Sequence, residues 1–105
     1  MTEIYITRLF IPLSDNAGAP FPYRLFRLTE RSLRRKFGGV TQWGEVQGQW
    51  VSPSGRVDLD THRVYEIAHS GREVDWWEEF REVLKERFAR DEMWIIQSSS
   101  GWMLL

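Results

Sequence analysis

Cysteine is absent from this chain of 105 residues, which excludes disulfides, thiolate metal sites and thiol nucleophiles. No apolar run approaches the roughly 20 residues of a membrane span, and the start lacks the basic and apolar runs of a secretory signal. The net charge is only −1, so bulk attraction to nucleic acid or to an anionic membrane is not expected. These absences predict a cytoplasmic protein that folds without a metal, a cofactor or a disulfide. The length of 105 residues fits a single domain over residues 1–105, which we expect to be of the α+β class.

Aromatic residues, by contrast, are abundant, with six tryptophans, six phenylalanines and three tyrosines. Each such side chain can bury about 150–250 Å², so core packing is the first interpretation. The alternative is that some of them line a pocket or a partner surface.

The chain also contains an internal repeat, because Phe26–Trp43 and Trp77–Trp94 align without a gap. Each copy has the pattern of an amphipathic helix that ends at a phenylalanine and runs into a strand carrying a tryptophan. A strand that is twice followed by a helix and another strand predicts a ferredoxin-like βαββαβ plait. The aligned pairs include Leu33 with Leu84, Phe37 with Phe88, and Trp43 with Trp94.

The pattern along the chain predicts a four-stranded antiparallel sheet with both helices on one face and the other face open. The first helix is predicted within Tyr23–Phe37, and Thr29 is a candidate cap for a shorter version that begins at Glu30. Asp75 with Glu78 is expected to form a capping box at the second helix. The third strand is expected beside the first at the centre of the sheet. The predicted elements are a strand at Ile4–Leu13, a helix within Tyr23–Phe37, strands at Val40–Trp50 and Arg56–Ala68, a helix from Asp75, a strand at Glu92–Gln97 and a short C-terminal strand at Trp102–Leu105.

From Phe37 to Trp50 the chain reads F-G-G-V-T-x-W-x-x-x-x-G-Q-W, and V-Y-E-I follows at Val64–Ile67. This resembles a group of small bacterial proteins of unknown function, whose core carries Phe, glycine, Leu or Val, Thr, and then Gly-x-Trp before a hairpin. The resemblance implies a plait-like α+β domain and no particular reaction.

The most concentrated polar group is predicted on the third strand, where Asp58, Asp60, His62 and Glu66 share one face. Successive positions on one face stand about 6–7 Å apart. Carboxylates beside a histidine suit acid–base chemistry or a divalent metal, and they are expected to raise the pKa of His62. The alternatives are a ligand-binding role and a solvated polar face.

Tryptophans are the second group of candidates. Trp43 and Trp50 are predicted on opposite faces of the second strand, unless a bulge at an intervening glycine resets the alternation. An aromatic residue on the open face, Trp102 included, would be a natural anchor for a partner.

Three functions remain open from the sequence. The leading one is a small binding or interaction module that forms a homodimer through its open sheet face or an edge strand and can hold a small-molecule ligand. The alternative is a dimeric plait-barrel enzyme with His62 as base and Asp60 or Glu66 as its orienting carboxylate. The second alternative is weak RNA binding by Arg31, Arg34 and Arg35. Nucleic acid is the less expected partner, since the third strand lacks the RNP pattern and the basic first helix has an acidic second helix to attract.

Overall fold

The computed structural model describes residues 3–99, and these form the predicted ferredoxin-like plait. The sheet order is β2-β3-β1-β4, with every neighbouring pair antiparallel, so the third strand lies beside the first as expected. The predicted strand at Trp102–Leu105 lies outside the described residues. The elements are β1 (Tyr5–Pro12), α1 (Tyr23–Phe37), β2 (Thr41–Val51), β3 (Val57–His69), α2 (Val74–Arg87) and β4 (Trp94–Ser99).

One face of the sheet builds the core together with both helices. In β1, Leu9 and Ile11 are fully buried, and Leu9 pairs with the equally buried Tyr65 of β3. Because side chains alternate along a strand, the intervening residues of β1 face the other way, away from the helices. The helices contribute the residues at the predicted spacing, namely Phe26 and Leu33 from α1 and Trp77, Phe80 and Leu84 from α2.

The first helix fills the whole predicted range, so the shorter version is wrong, and the second helix begins earlier than predicted. Thr29 lies inside α1, where it donates a hydrogen bond to the carbonyl of Leu25 at 2.9 Å, so it is not a cap. The capping box of α2 is also absent, because the helix begins at Val74 and its N-cap is Glu73, with no side-chain cap hydrogen bond. Asp75 therefore lies within the first turn, where its charge favours the helix dipole instead.

The attraction expected between the basic and the acidic helix is limited. Among residues 3–99, one ion pair joins α1 to the start of α2, between Lys36 and Glu73 at 3.3 Å. Neither helix in the described part of the chain is long and apolar enough to cross a membrane.

The distal hairpin, formed by β2 and the first half of β3, contributes least to the interior. No residue between Leu33 and Val64 is buried, although this stretch includes all of β2. β2 is an edge strand of 11 residues, and the hairpin exposes apolar side chains such as Val51 and Leu59. The body of the fold therefore does not depend on the hairpin for its core.

Candidate functional site

A β-bulge in β2 decides which tryptophans share the open face. Gln42 pairs with Tyr65, whereas Glu45 pairs with Arg63, so Trp43 and Gly44 together stand opposite a single residue of β3. Gly44 has φ +83°, a conformation that glycine adopts without strain. The extra residue resets the alternation of side chains between the two faces of the sheet. This is the outcome predicted for a bulge at an intervening glycine.

The register shows the result of that reset. Before the bulge, Thr41 pairs with Glu66, and after it Trp50 pairs with Asp58. Both partners belong to the face of β3 that points away from the helices. Trp43 and Trp50 therefore lie on the same open face, where they are 61% and 38% exposed.

Trp50 reaches across this face to the other edge of the sheet. Its ring centroid lies 4.4 Å from that of Trp94 in β4, with an interplanar angle of 89°. Phe10 of β1 makes a second edge-to-face contact with Trp94, with 6.5 Å between the ring centroids. A Cβ on Gly48 would lie 3.3 Å from Nε1 of Trp50, so the glycine gives the indole room to lie close to its own strand. We call Trp50 and Trp94 the tryptophan pair.

The polar group predicted on β3 does not act as one cluster. Asp58 binds Arg56 at 2.8 Å, and Glu66 binds Arg8 of β1 at 2.8 Å. Asp60 and His62 remain together, with 3.2 Å between Oδ2 and Nε2. Within residues 3–99 no group of three or more His, Cys, Asp or Glu side chains is placed to hold a metal ion.

The Asp60–His62 pair and the tryptophan pair line one cleft of about 460 Å³. The cleft lies where the open face meets the loop after β1 and the connection from α2 to β4. Its aromatic lining is Phe10, Trp50 and Trp94, and its polar lining includes Asn16, Asp60, His62, Arg90, Asp91 and Glu92. Of the predicted residues, Trp50, Asp60 and His62 meet here, whereas Trp43, Asp58 and Glu66 do not line the cleft.

Burial lowers the pKa of His62 below its usual value of 6.5. The carboxylate of Asp60 acts in the opposite direction, and the guanidinium of Arg90 lowers the pKa further. The raised pKa predicted from the sequence is therefore wrong, because desolvation of the imidazolium outweighs the neighbouring negative charge. His62 is mainly neutral at pH 7.

Arg90 forms one wall of the cleft and holds the neighbouring loop. Its Nη1 donates to Asn16 Oδ1 at 2.9 Å and its Nη2 donates to the Ser14 carbonyl at 2.7 Å. Its buried Nε has no hydrogen-bond partner among the described residues. Sequence reasoning missed Arg90, since nothing in the linear pattern separates it from other basic residues near helix ends. Trp94 was noted only as the repeat of Trp43, and that repeat was the available signal.

With His62 neutral, the charged groups of the cleft are three carboxylates and one guanidinium. The guanidinium already donates to two protein oxygens. The cleft therefore presents net negative charge beside two partly exposed indoles, a combination that favours cations over anions.

The second histidine belongs to a closed structural network on the helix side of the sheet. His69 is 7% exposed, its Nδ1 donates to the Gly71 carbonyl, and its Nε2 accepts from the Thr7 hydroxyl at 2.7 Å. Thr7 in turn accepts from Gln97 at 3.1 Å. With both ring nitrogens engaged, His69 ties the end of β3 to β1 and β4.

Comparison with known proteins identifies the fold. No family model matches the sequence, and no curated protein matches it. Among solved structures, a phage SAM lyase in complex with S-methyl-5'-thioadenosine is similar, with a TM-score of 0.72 at 13% identity over 96% of this chain and 84% of that one. The divalent ion tolerance protein CutA1 from Ehrlichia chaffeensis is also similar, with a TM-score of 0.66 at 10% identity over 99% and 87%. The chain is thus a small ferredoxin-like α+β protein with a cleft on its open sheet face.

Proposed function

We propose that this protein binds a small ligand that combines a flat ring with a positive charge. The observation that carries the proposal is the tryptophan pair, two exposed indoles meeting edge to face beside an excess of carboxylates. A ring stacks favourably on an indole face, and a cation beside that face is attracted to the ring and to the carboxylates. At about 460 Å³, the cleft falls within the range of small-molecule sites.

The similarity to the SAM lyase supports this ligand class. The molecule bound in that structure is S-methyl-5'-thioadenosine, which carries a purine ring and no charge. SAM itself carries the same ring together with a sulfonium cation. SAM also carries an amino-acid tail that the thioadenosine lacks, so the comparison separates the contribution of the shared ring from that of the sulfonium and its tail together.

The ligand proposal is tested by calorimetric titration with SAM and with S-methyl-5'-thioadenosine. We expect Trp50→Ala to weaken binding of both compounds at least fivefold, since stacking on an aromatic side chain contributes about 1–3 kcal/mol. Asp60→Asn should weaken the binding of SAM and leave the affinity for S-methyl-5'-thioadenosine unchanged. Tyr23→Ala removes an exposed aromatic residue of α1 remote from the cleft and serves as the matched control. Equal affinities of the Trp50 and Tyr23 variants, or no binding of either compound, would contradict the proposal.

We also propose that the chain self-associates through its open sheet face, as a homodimer in the simplest case. The support is the apolar surface left outside the cleft, with Trp43 61% and Ile96 48% exposed. The outer edge of β2, to which no strand pairs within residues 3–99, adds a second surface that native proteins usually cover.

Self-association is measured by light scattering coupled to gel filtration at micromolar concentration. The expected mass is a multiple of the 12.5 kDa chain, and Trp43→Arg with Ile96→Lys should reduce it to the monomer. Val83→Lys, on the exposed side of α2, should leave it unchanged. A monomeric mass for the unmodified protein would overturn this proposal without affecting the ligand proposal.

One observation favours a second candidate function, an enzyme that uses His62 as a base. Nε2 of His62 lies 3.2 Å from Asp60, and the lowered pKa leaves the imidazole free to accept a proton at neutral pH. Asp60 is then the orienting carboxylate, because Glu66 is bound to Arg8. Incubation with SAM followed by mass spectrometry tests this function. Conversion of SAM into products should disappear in the His62→Asn variant, whose circular dichroism spectrum should be preserved. An absence of products from the unmodified protein would contradict the enzymatic function.

A further inference from the structure

The outer face of α1 carries an unusual concentration of one charge. Five arginines lie on it and all are exposed: Arg24, Arg27, Arg31, Arg34 and Arg35. At 100° per residue they fall within an arc of about 100°, on the side opposite the buried Phe26 and Leu33. We call these five residues the arginine stripe.

The arginine stripe is not neutralised by the protein. Among residues 3–99 none of its members forms an ion pair within 4 Å, and Arg27 instead lies 6.0 Å from the Tyr23 ring. Glu30, the acidic residue of α1, accepts a hydrogen bond from the hydroxyl of Tyr65 in the sheet at 2.5 Å. Its carboxylate is therefore engaged toward the sheet.

The arrangement also opposes the stability of the helix. Arg27 and Arg31 are four residues apart, and Arg31 is followed by arginines three and four residues later, so neighbouring side chains repel each other. The first turn of α1 contains no acidic residue, and Arg24 places positive charge near the positive end of the helix dipole. Arg34 and Arg35 lie in the last turn, where positive charge favours the dipole, so the unfavourable charges are those of Arg24, Arg27 and Arg31. A local rule broken without structural compensation is a mark of a functional surface.

We infer that the arginine stripe binds the phosphate backbone of a single-stranded nucleic acid. Arginine presents a planar fork of donors that matches phosphate, and the stripe extends about 16 Å along the helix. Tyr23, 64% exposed at one end of it, offers a ring on which a base can stack. The inference uses no residue of the cleft and does not rest on the ligand proposal.

The net charge of −1 does not oppose this inference, because local charge decides a contact within the screening length of about 8 Å. A single strand fits better than a duplex, since the exposed ring of Tyr23 can stack only on a base that is not already paired and stacked within a helix. The acidic side chains of the neighbouring α2, such as Glu79 and Glu82, would repel a second strand. A membrane surface fits less well, because the apolar face of α1 is already buried in the core.

The test measures fluorescence anisotropy of labelled oligouridine and oligothymidine of roughly 12 nucleotides. Neutralising four phosphates gives a salt slope near −3, so raising salt from about 50 to 200 mM should weaken binding about 60-fold. The variant R27Q/R31Q/R34Q should bind at least about tenfold more weakly. The control variant R56Q/R72Q/R81Q, with the same change in net charge on exposed residues elsewhere, should stay within about twofold.

A second measurement on the same variant distinguishes binding from folding. Removing three mutually repelling charges should leave the melting temperature unchanged or higher, so the loss of binding should accompany an intact helix. The single variant Arg31→Gln should show a smaller loss in the same direction. Equal affinity for RNA and DNA would support recognition of phosphate alone, and preference for RNA would add a contact to the 2′-hydroxyl.

Three results would overturn the inference. The first is equal loss in the two triple variants, which would show an effect of bulk charge. The second is salt-insensitive or undetectable binding. The third is binding only to phosphatidylcholine vesicles containing about one-third phosphatidylserine, which would assign the stripe to a membrane surface.

Discussion

Ala89 ends α2 in a conformation that usually belongs to glycine. Its φ is +48°, its own amide donates to the Glu86 carbonyl at 3.3 Å, and the following amide of Arg90 donates to Lys85 at 2.9 Å. This is a Schellman motif, in which a left-handed residue closes the helix. In the internal repeat the same position is Gly38, which is also left-handed, at the end of α1.

We therefore expect Ala89→Gly to raise the free energy of unfolding by about 0.5–1 kcal/mol. The exposed Cβ of Ala89 contributes no packing that the substitution would remove. Urea denaturation measures the change, and Ala17→Gly in the exposed loop after β1 is the control. A lower stability for the Ala89 variant would contradict this account of the helix end.

The lowered pKa of His62 predicts a specific pH dependence. At pH values below the unfolded-state pKa of 6.5, the unfolded chain binds more protons at this residue than the folded chain does. Stability is therefore retained above that pKa and falls as the pH decreases toward the folded-state pKa, by at most about 1.4 kcal/mol per pH unit. Denaturation between pH 7.5 and 5.5, roughly the range of histidine titration, should show a shallower fall for His62→Gln. An identical profile for the variant would show that Asp60 balances burial, a steeper one would show that Asp60 dominates, and either would contradict the lowered pKa.

At the scale of residues, the sequence predicted the Asp60–His62 pair but gave the wrong direction for the shift in the pKa of His62. The alternation of charges on β3 was visible, whereas Arg90, Met93 and Trp94, which line the cleft together with His62, lie far along the chain. Such burial has no signature in the neighbourhood of His62 in the sequence.

At the scale of elements, the bulge in β2 sets the relation between Trp43 and the rest of the open face. A side chain at Gly44 would have to adopt φ +83°. We expect Gly44→Ala to cost about 1–2 kcal/mol in unfolding free energy. Gly39→Ala is the matched control, since Gly39 has no positive φ and a Cβ there would meet nothing within 4 Å. Equal costs in the two variants would show that the bulge does not require glycine.

The elements themselves were largely predictable because their patterns are local. The stripe of Trp77, Phe80, Leu84 and Phe88 predicted α2, and all four side chains are buried. The capping-box prediction failed because the spacing of Asp75 and Glu78 does not show where the helix begins. The observed N-cap is the left-handed Glu73, two residues before the predicted cap Asp75. The bulge itself was foreseen only as an alternative, since glycine permits that conformation without requiring it.

At the scale of the whole molecule, the hairpin and the core are separable. Replacing residues 48–60 by Asn-Gly would join Gln47 to Thr61, which already pair, through a two-residue turn. We expect a loss of less than about 3 kcal/mol, because the segment holds no buried residue and its removal takes away cross-strand pairs and the surface contacts of Trp50 and Asp60. Leu84→Ala, at a fully buried position, should cost about 2–5 kcal/mol. Thermal denaturation compares the two, and a truncated chain that fails to fold would show that the hairpin belongs to the folding unit.

The plait was predictable at this scale because the internal repeat fixes the order of the elements. The cleft was not, because Trp50 and Trp94 come from opposite edges of the sheet and Asn16 from a loop. Their meeting depends on the twist and curvature of the hairpin, which the sequence pattern does not encode.

The ribbon formed by β2 and the first half of β3 supplies no side chain to the interior. This affects which substitutions can accumulate without loss of the fold. Under the proposed binding function, substitutions at Trp50 or Asp60 would change what the cleft accepts without removing a core side chain. Ligand preference could then be redesigned in this segment while the rest of the fold is left unchanged.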